Sequence, residues 1–415
     1  MKILVVGSGA REHTIIKALA RDEEHHEILA APGNAGIAGD AEIVGLDPTN
    51  PKVVTEFALA SDIDLVIIGP EAPLVAGVAD RLRRENIPVF GPNRDAAALE
   101  GSKAFAKEIM SAASVPTGKA WSVSTKEELI TALESVGSPY VVKADGLAAG
   151  KGVLVTEDRE AAIDHADFYL QHGDVLVEEF LSGPEVSLFF LSDGTHVVPL
   201  EPAQDYKRAF EQDLGPNTGG MGAYSPLPWL PDGFVEEVRS CIAQPTIDEM
   251  ASRGTPFVGL LYCGLILTDE GVKVIEFNAR FGDPETQVVL ARLTSPLAPL
   301  LLAAATGSLD AQPAPIFSDD CAITVVLASE GYPDNPITGR EIFGLDTLEG
   351  SHRVTLAHAG TAWDGNHLLA TGGRVLSVIA TGATFDAARK SAYEALDAIE
   401  LEGSHFRRDI ALDIS

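Results

Sequence analysis

The chain has 415 residues, 46% of them hydrophobic, and a formal net charge of −31 at pH 7. This length predicts two to four structural units, and the apolar fraction is that of a folded protein. So negative a surface repels nucleic acid and anionic membranes, and we exclude both as general partners. It also repels anionic substrates, so a phosphate site has to be built locally from Lys, Arg, backbone N–H groups and metal.

The cysteines and the apolar runs favour a cytoplasmic location. Cys241, Cys263 and Cys321 are odd in number, far apart and in no CxxC pair, which argues against a disulfide framework or a zinc site. The apolar run after Met1 is too short for a signal peptide and enters a glycine turn, so we predict that it forms the first strand. No apolar run reaches the ~20 residues that a membrane helix needs.

The first hundred residues alternate strand and helix signals, with a helix over 11–21. Strands are predicted at Lys2–Val6, Glu27–Ala31, Asp64–Ile68 and Pro88–Phe90. Apolar strands separated by helices predict a parallel, doubly wound sheet. Each strand stops at a glycine-rich turn, and these turns lie at the carboxyl ends, where open α/β sheets bind ligands.

The rest of the chain predicts a mixed α+β arrangement. Helical segments are predicted near 102–118, 126–136, 158–172, 232–252 and 384–399, and a polar loop over 203–225. Strands are predicted near Tyr140–Lys143, Val153–Val155, Val175–Glu179, 186–191, 196–199, Ala322–Ala328, Arg353–His358 and Arg374–Thr381. Two further runs, Gly259–Leu267 and Val272–Asn278, predict a hairpin around a four-residue turn.

The turn Gly7-Ser8-Gly9-Ala10-Arg11-Glu12 begins like a dinucleotide-binding fingerprint. Glu12 stands in place of the third glycine, and no acidic residue closes the second strand, so the NAD interpretation fails at two points. Two interpretations stay open and equal. The turn either aims N–H groups at a small phosphate, with Arg11 adding a guanidinium, or is a structural strand–helix connection.

The segment Lys143–Val153 is almost a P-loop. Gly146 and Gly150 are one residue too close together, and Gly152 stands where Ser or Thr would bind magnesium. What remains is a glycine-rich hairpin that could close over polyphosphate while Lys143 and Lys151 neutralise it. The alternative is an ordinary hairpin with solvated lysines, which so close a set of glycines and lysines disfavours.

The segment Val272–Arg280 carries the sharpest chemical signal. Side chains alternate along a strand, so Glu276 and Asn278 are expected on one face, and Ile275 and Phe277 on the other. A carboxylate and an amide oxygen at this spacing suit Mg²⁺, with nucleotide phosphates completing the octahedron. Arg280 would join the same face if the extended path continues. A polar edge strand is the alternative for so short a pattern.

Three further observations complete the pattern. Glu178 and Glu179 lie at a strand end, Glu185 follows shortly after, and such carboxylates suit ribose hydroxyls, although acidic surface residues are the alternative. Pro216–Pro226 has little core potential and is interpreted as a substrate loop. The ten histidines form no metal-like cluster, and we find no nucleophile elbow, Ser–His or Cys–His arrangement.

Taken together, these segments resemble the phosphoribosylamine–glycine ligase family of the ATP-grasp superfamily over essentially the whole chain. Gly215–Pro226 and Arg280–Glu285 are its most specific segments. The resemblance implies a Rossmann-like domain over 1–101, an ATP-grasp domain over 102–321 with an inserted lid at about 120–190, and a C-terminal α+β domain over 322–415. It implies the reaction of ATP, glycine and 5-phosphoribosylamine to glycinamide ribonucleotide, ADP and phosphate.

The resemblance also implies roles for individual residues. ATP would be bound by Lys103, Lys143, Gly150, Lys151, Gly152, Glu178, Glu179 and Glu185, and Mg²⁺ or Mn²⁺ by Glu276 and Asn278. Substrate would contact Gly9, Arg11, Asn34, Glu71, Asn217, Gly219, Asp283 and Glu285. Arg280, Lys143 and Lys103 would be catalytic.

Two departures from the family pattern weaken parts of this assignment. The strand before Glu276 reads Gly264-Leu265-Ile266-Leu267, where many ATP-grasp enzymes have an acidic metal ligand. Tyr206 stands where His is often found, which puts a catalytic role there in doubt. The alternatives are an ATP-grasp ligase for another carboxylate and amine, a non-catalytic nucleotide-binding regulator and, more distantly, a dehydrogenase. We expect a monomer or weak homodimer with only small-molecule substrates.

Overall fold

The computed structural model describes residues 1–146, 152–348, 350, 352–412 and 414. Its N-terminal part is a five-stranded parallel sheet of order β3-β2-β1-β4-β5. The strands are β1 (Lys2–Gly7), β2 (Glu27–Pro32), β3 (Glu42–Ile43), β4 (Leu65–Ile68) and β5 (Val89–Phe90). The helices are α1 (Ala10–Leu19), α2 (Pro51–Ala60), α3 (Glu71–Ala76), α4 (Val78–Arg84) and α5 (Arg94–Gly101). The predicted parallel sheet is confirmed.

Apolar residues explain why these strands lie inside. Leu65–Ile68 is buried throughout, as is most of β1, which is expected when helices cover both faces of a parallel sheet. The carboxyl ends of β1, β2 and β4 therefore meet at one edge. That edge carries the turns that begin at Gly7, Pro32 and Gly69.

A smaller unit has its own core and lies beyond helix α6. Its antiparallel sheet has the order β6-β9-β7-β8, with helices packed on it around Leu129, Leu133 and Val142. The elements are α6 (Lys103–Ala112), β6 (Ala120–Val123), α7 (Lys126–Val136), β7 (Tyr140–Ala144), β8 (Val153–Thr156), α8 (Arg159–Leu170) and β9 (Val175–Glu178). This unit falls within residues 120–190, for which a lid stays a prediction.

The central sheet has the order β11-β10-β16-β17 and is antiparallel. It consists of β10 (Glu185–Asp193), β11 (Val197–Pro199), β16 (Val258–Thr268) and β17 (Gly271–Asn278). The last two strands form the predicted hairpin. Helices near it are α9 (Phe234–Val238), α10 (Gln244–Ser252), α11 (Glu285–Arg292) and α12 (Leu297–Thr306), with a π-helical stretch at Arg239–Ala243.

A third sheet joins the 203–225 region to the C-terminal part, in the order β12-β15-β18-β22-β19. Its strands are β12 (Gln204–Asp205), β15 (Gly222–Ser225), β18 (Cys321–Ala328), β19 (Val354–His358) and β22 (Arg374–Gly382), with α13 (Phe385–Ala398) packed beside β22. Two-stranded hairpins are β13 (Arg208–Phe210) with β14 (Leu214–Asn217), and β20 (Thr361–Asp364) with β21 (His367–Ala370). Short 3₁₀ turns lie at Ile37–Gly39, Glu211–Asp213, Leu309–Ala311 and Leu345–Leu348.

The prediction of a loop over 203–225 was wrong. Its short strands find partners far away in the chain, such as Ala223 opposite Thr324, and a local pattern cannot show such pairing. This sheet also crosses the proposed boundary at 321/322, which remains a prediction.

Candidate active site

Lys143 and Glu178 form a buried ion pair between two strands of the small unit. Lys143 Nζ lies 3.0 Å from Glu178 Oε2, and each residue is only 5% exposed. Lys107 Nζ lies 3.3 Å from the same oxygen. In the part of the chain that the structure describes, Glu178 Oε1 has no hydrogen-bond partner. One buried acceptor is therefore left for a ligand.

The same lysine connects this unit to strand β17. Lys143 Nζ lies 3.5 Å from the carbonyl oxygen of Ile275, the residue before Glu276. The structure therefore brings into contact the two segments on which the ligase prediction depends.

Lys103 begins helix α6 and contacts the residues that follow strand β7. Its backbone N–H donates to Asp145 Oδ1 at 2.6 Å, and its Nζ donates to the carbonyl oxygen of Gly146 at 2.9 Å. Burial lowers the pKa of Lys103 despite the carboxylate of Glu276. Gly150 and Lys151 lie outside the described residues. Gly152 is described, and its carbonyl accepts from Ala144 N–H at 2.8 Å.

Glu276 and Asn278 lie side by side on β17, opposite Gly264 and Tyr262. Burial acts to raise the pKa of Glu276, but the positive charges of Lys207, Lys143, Lys103 and Arg280 lower it overall. The carboxylate is therefore ionised at neutral pH. An ionised carboxylate beside an amide oxygen is a donor set that a hard divalent cation prefers.

The predicted alternation along β17 was wrong at one residue. The pairing shifts between Gly264 and Leu265, so that Ile275 has no direct partner on β16. Val274 and Phe277 are buried in the core, whereas Ile275 is only partly buried, as Glu276 is. A β-bulge adds one residue and interrupts the two-residue period.

Arg280 lies just beyond the end of β17 and has acidic partners on two helices. One of its terminal nitrogens is 3.0 Å from Glu100 Oε1, and its Nε is 3.6 Å from Glu71 Oε2. The same terminal nitrogen lies 3.5 Å from Asn278 Oδ1. Burial acts to lower the pKa of Arg280, but Glu100, Glu71 and Glu285 outweigh it and raise the pKa further. Arg280 is thus a permanent cation beside the predicted metal ligands.

The side chain of Glu12, which stands in place of the third glycine of the dinucleotide fingerprint, fills the turn after β1. Glu12 Oε2 accepts from Gly9 N–H at 2.6 Å, and Glu12 Oε1 accepts from Arg11 Nε at 2.6 Å. A Cβ on Gly69 would lie 2.1 Å from the same carboxylate. A side chain at Gly69 would clash with Glu12, which explains why glycine stands at this position. The Gly9 N–H already has a partner, so a phosphate here needs other donors.

Asn34 joins this edge to the C-terminal part. Its side-chain amide donates to the carbonyl oxygens of Ser8 and His358 at 2.8 and 2.7 Å, and its oxygen accepts from Gly36 and Ile37 N–H. Both ends of the amide are occupied, so Asn34 shapes the loop around the site.

Arg374 brings Asp283 and Gly219 together. Its guanidinium donates to Asp283 Oδ2 at 3.0 Å, to the Asp283 carbonyl at 2.8 Å and to the Gly219 carbonyl at 2.6 Å. Gly219 N–H donates to the hydroxyl of Tyr332 at 2.9 Å. The nearby Asn217 is exposed at the end of β14. The guanidinium of Arg374 therefore holds together two segments that are predicted to contact substrate.

The three other predicted acidic residues are held in different ways. Glu179 Oε2 accepts from Lys119 N–H at 3.1 Å. Glu185 forms an ion pair with Lys207. Glu285 is 4% exposed, and its Oε1 accepts from the Tyr262 hydroxyl at 2.5 Å. Glu285 is therefore buried, whereas the side chain of Glu185 is 45% exposed.

The sequence interpretation missed residues that complete these contacts, namely Lys107, Glu100, Lys207, Tyr262 and Arg374. Lys207 follows Tyr206, which the comparison with the family pattern already singles out, and that was the available signal for it. The others depend on partners in other elements of the fold. Tyr206 has structural partners instead of catalytic ones. Arg407 lies over its ring at 4.9 Å, and its hydroxyl accepts from Ala411 N–H at 2.9 Å.

Family models match the chain in three consecutive parts. The N domain of phosphoribosylglycinamide synthetase matches residues 1–100, its ATP-grasp (A) domain 101–286 and its C domain 322–413. The chain belongs to the phosphoribosylamine–glycine ligase family. This confirms the resemblance, the multidomain α/β architecture and the class of enzyme, a ligase that forms a C–N bond.

Relatives of this family align along the whole chain. The phosphoribosylamine–glycine ligase of Leifsonia xyli is 64% identical over 414 residues, covering 99% of each chain, and that of Streptomyces coelicolor is 56% identical with the same coverage. A crystal structure of phosphoribosylamine–glycine ligase from Thermotoga maritima is 33% identical, with a TM-score of 0.86, covering 99% of this chain and 100% of that one.

A biotin carboxylase from Campylobacter jejuni shares the fold alone. It is 15% identical, with a TM-score of 0.73, over 99% of this chain and 94% of that one. Among the described residues, no helix combines the length and apolar character that crossing a membrane requires. Membership of the ATP-grasp ligases implies the use of ATP and a divalent metal.

Proposed function

We propose that this enzyme joins glycine to 5-phosphoribosylamine with cleavage of ATP to ADP and phosphate, giving glycinamide ribonucleotide. One arrangement carries the proposal: Lys143 Nζ lies 3.5 Å from the carbonyl oxygen of Ile275, and a terminal nitrogen of Arg280 lies 3.5 Å from Asn278 Oδ1, so cations contact the strand on both sides of Glu276. Burial acts to raise the pKa of Glu276, but these two cations, with Lys207 and Lys103, lower it. Cations gathered around one acid fit a site for a metal–triphosphate complex. The names of relatives that align over the whole chain supply the substrates.

Glu276 and Asn278 would hold Mg²⁺ or Mn²⁺, because the first is ionised and the second offers an amide oxygen on the same strand face. When bound, the metal neutralises phosphate charge and orients the terminal phosphoryl group. Lys143 and Lys103 would hold the phosphates from the other side. Gly150, Lys151, Gly152, Glu178, Glu179 and Glu185 stay predicted nucleotide contacts.

The carboxylate of glycine is a poor electrophile and must be activated first. One of its oxygens would attack the terminal phosphorus of ATP, forming glycyl phosphate as the bond to ADP breaks. Arg280 is placed beside Asn278, where it can stabilise the charge of the transferring group. Most of the rate enhancement comes from positioning and charge neutralisation.

The amine of phosphoribosylamine would then attack the carbonyl carbon, phosphate would leave, and the nitrogen would lose a proton. This substrate would lie along the edge formed by the turns of the N-terminal sheet and the Asp283 segment. Its predicted contacts are Gly9, Arg11, Asn34, Glu71, Asn217, Gly219, Asp283 and Glu285. The small unit over the site would exclude water, because acyl phosphates hydrolyse.

A substrate panel tests the proposal. We expect ADP release to require glycine and phosphoribosylamine together, with other small amino acids and other amines giving much slower release. Equal rates with another carboxylate or amine would instead identify an ATP-grasp ligase of different specificity. ATP binding without turnover in calorimetry would identify a regulator.

A further inference from the structure

Helix α5 ends beside strand β17, and one of its acidic side chains contacts the residues that follow this strand. Glu100 Oε2 accepts a hydrogen bond from Ala279 N–H at 2.8 Å. Its other oxygen, Oε1, lies 3.0 Å from a terminal nitrogen of Arg280, and the side chain of Glu100 is only 8% exposed. One buried carboxylate therefore contacts both the backbone and the guanidinium at the end of β17.

The other contacts of the Arg280 guanidinium are longer. The nitrogen that contacts Glu100 also lies 3.5 Å from Asn278 Oδ1, and the second terminal nitrogen donates to the carbonyl oxygen of Phe281 at 3.3 Å. Both distances lie beyond the usual range of about 2.7–3.2 Å for such hydrogen bonds. Glu71 Oε2 is 3.6 Å from Nε. In the part of the chain that the structure describes, Glu100 thus provides the shortest contact of this guanidinium.

One donor of Arg280 remains for a ligand. Its Nε is buried and has no hydrogen-bond partner among the described residues. A buried N–H group costs free energy unless it is satisfied, so we expect a bound molecule to accept from it. The neighbour on this side is Glu71, a predicted substrate contact whose side chain is 41% exposed. The guanidinium is therefore held by Glu100 through one nitrogen, while its Nε is left for substrate.

The negative charge of Glu100 does not by itself help phosphoryl transfer. A carboxylate at this distance partly neutralises Arg280, whereas the transferring phosphoryl group is stabilised by positive charge. The carboxylate contributes position instead. Arginine has many rotamers, and fixing it in one of them costs conformational entropy. A contact that already exists in the free enzyme offsets this cost before ATP binds, which is the preorganisation that electrostatic catalysis requires.

Resting on the proposed function, we infer that Glu100 is a positioning residue for phosphoryl transfer. It holds the guanidinium of Arg280 directly and the adjoining backbone through Ala279, so that the cation meets the transferring group in one orientation. Glu100 itself contacts neither the substrates nor the reacting atoms. Its contribution therefore passes through Arg280 and disappears when the Arg280 side chain is removed.

Glu100→Gln tests this role, because the amide keeps the shape of the side chain and loses its charge. We expect kcat for ADP release to fall roughly 10- to 100-fold, since misplacing a group by about 1 Å can cost about 100-fold in rate. The KM values for ATP, glycine and phosphoribosylamine should change less than about 3-fold, as for an interaction made in the transition state. Asp95→Asn, which changes an exposed acid in the first turn of the same helix, is the matched control and should leave kcat unchanged.

A double-mutant cycle separates positioning from a structural role. Arg280→Ala removes the group through which Glu100 acts, so adding Glu100→Gln to it should lower kcat by less than about 2-fold further. Two independent roles would make the losses multiply. Glu100→Asp keeps the charge but is too short to reach both partners, so its kcat should also fall. This variant replaces Glu100→Gln in the cycle if the latter does not fold.

Calorimetry of ADP binding without added metal gives a readout that does not depend on turnover. ADP lacks the phosphoryl group that is transferred, so its dissociation constant should agree within about 2-fold between Glu100→Gln and wild type. Weaker binding would show that Glu100 instead fixes the junction of α5 and α6, where Lys103 lies three residues further on.

Three results would overturn the inference. They are an unchanged or higher kcat of Glu100→Gln, losses that multiply in the cycle, and weaker ADP binding by the variant. Failure of the proposed function looks different, because wild type would then release ADP without requiring glycine and phosphoribosylamine together.

Discussion

Glu276 and Asn278 occupy neighbouring positions of one strand, and their surroundings differ from those of ordinary polar residues at a sheet edge. An acid at an edge usually faces water or one lysine. Glu276 instead has four cations near enough to lower its pKa, against the effect of its burial. Without a ligand, these cations also repel one another. The cluster is therefore arranged for added negative charge, which a nucleotide supplies.

Replacing Glu276 or Asn278 by Ala should lower kcat by at least about 100-fold, comparable to losing one group that stabilises a transition state. The fold should survive, because neither side chain belongs to the core. Turnover measured over a wide range of Mg²⁺ concentrations, with circular dichroism for the fold, tests this expectation. Glu270→Ala, on the exposed turn of the same hairpin and paired with Lys273, is the control and should retain full activity. Near-normal turnover of either variant at saturating Mg²⁺ would remove the metal assignment.

Among the elements, sequence predicted best those whose signals are local. The strand-and-helix alternation before residue 100 and the β16–β17 hairpin follow from apolar runs separated by turns, and both were found. The bulge at Ile275 was missed, since an apolar residue at that point fits either face. The pairing of Ala223 with Thr324 was missed because its partner lies a hundred residues away.

The residues of the candidate site also divide into those that a local sequence pattern predicts and those that it does not. The spacing of Glu276 and Asn278 indicates a metal site from the sequence alone, and the glycines after Lys143 indicate a phosphate-binding loop. Lys107 and Tyr262 have no such local signal, because their significance depends on burial and on partners from other elements. Arg374 acts through Asp283, 91 residues before it in the chain. Such residues become visible only when the sheets are assembled.

The β13–β14 hairpin gives the element-level prediction. Arg407 is 1% exposed, donates to Asp213 at 2.8 Å and to the Arg208 carbonyl at 3.1 Å, and lies over Tyr206. Arg407→Met should lower the free energy of unfolding by about 2–3 kcal/mol, since the charge-assisted hydrogen bonds of the buried guanidinium to Asp213, Asp409 and the Arg208 carbonyl are lost.

Denaturant unfolding of the variant measures this loss, and the next residue provides the control. Arg408 is 56% exposed and pairs with an equally exposed Asp397, so Arg408→Met should cost less than about 1 kcal/mol. Equal effects of the two substitutions would show that burial of Arg407 contributes nothing specific.

At the scale of the whole molecule, two histidines join the first and last parts of the chain. His358 N–H donates to His13 Nδ1 at 2.9 Å, and His13 Nε2 lies 2.8 Å from Asp40 Oδ2. Since His13 Nδ1 accepts a hydrogen bond, the proton is on Nε2 and the ring is neutral. Burial lowers the pKa of His13, and burial with His13 and Lys17 nearby lowers that of His358 to about 3. This junction tolerates both rings only when they are uncharged.

Acidic pH should therefore lower the stability of the folded protein, because it favours protonation of these two histidines. Between the unfolded pKa of about 6.5 and the folded value near 3, the unfolded chain binds more protons, so stability is complete above pH 6.5 and falls as pH decreases. Each such histidine contributes up to about 1.4 kcal/mol per pH unit. His358→Gln removes one of them, and its melting temperature should fall less than that of wild type between pH 7.5 and 5.0.

Differential scanning calorimetry across this pH range measures the effect, with His25→Gln as the control. His25 is exposed, so its removal should leave the wild-type dependence on pH. Asp40 cannot produce the same signal, because burial acts to raise its pKa but His13 and Lys17 lower it to about 2. Its contribution is therefore lost only below about pH 4, outside the range of the experiment. A variant that loses stability as steeply as wild type would show that the acid-sensitive groups lie elsewhere in the chain.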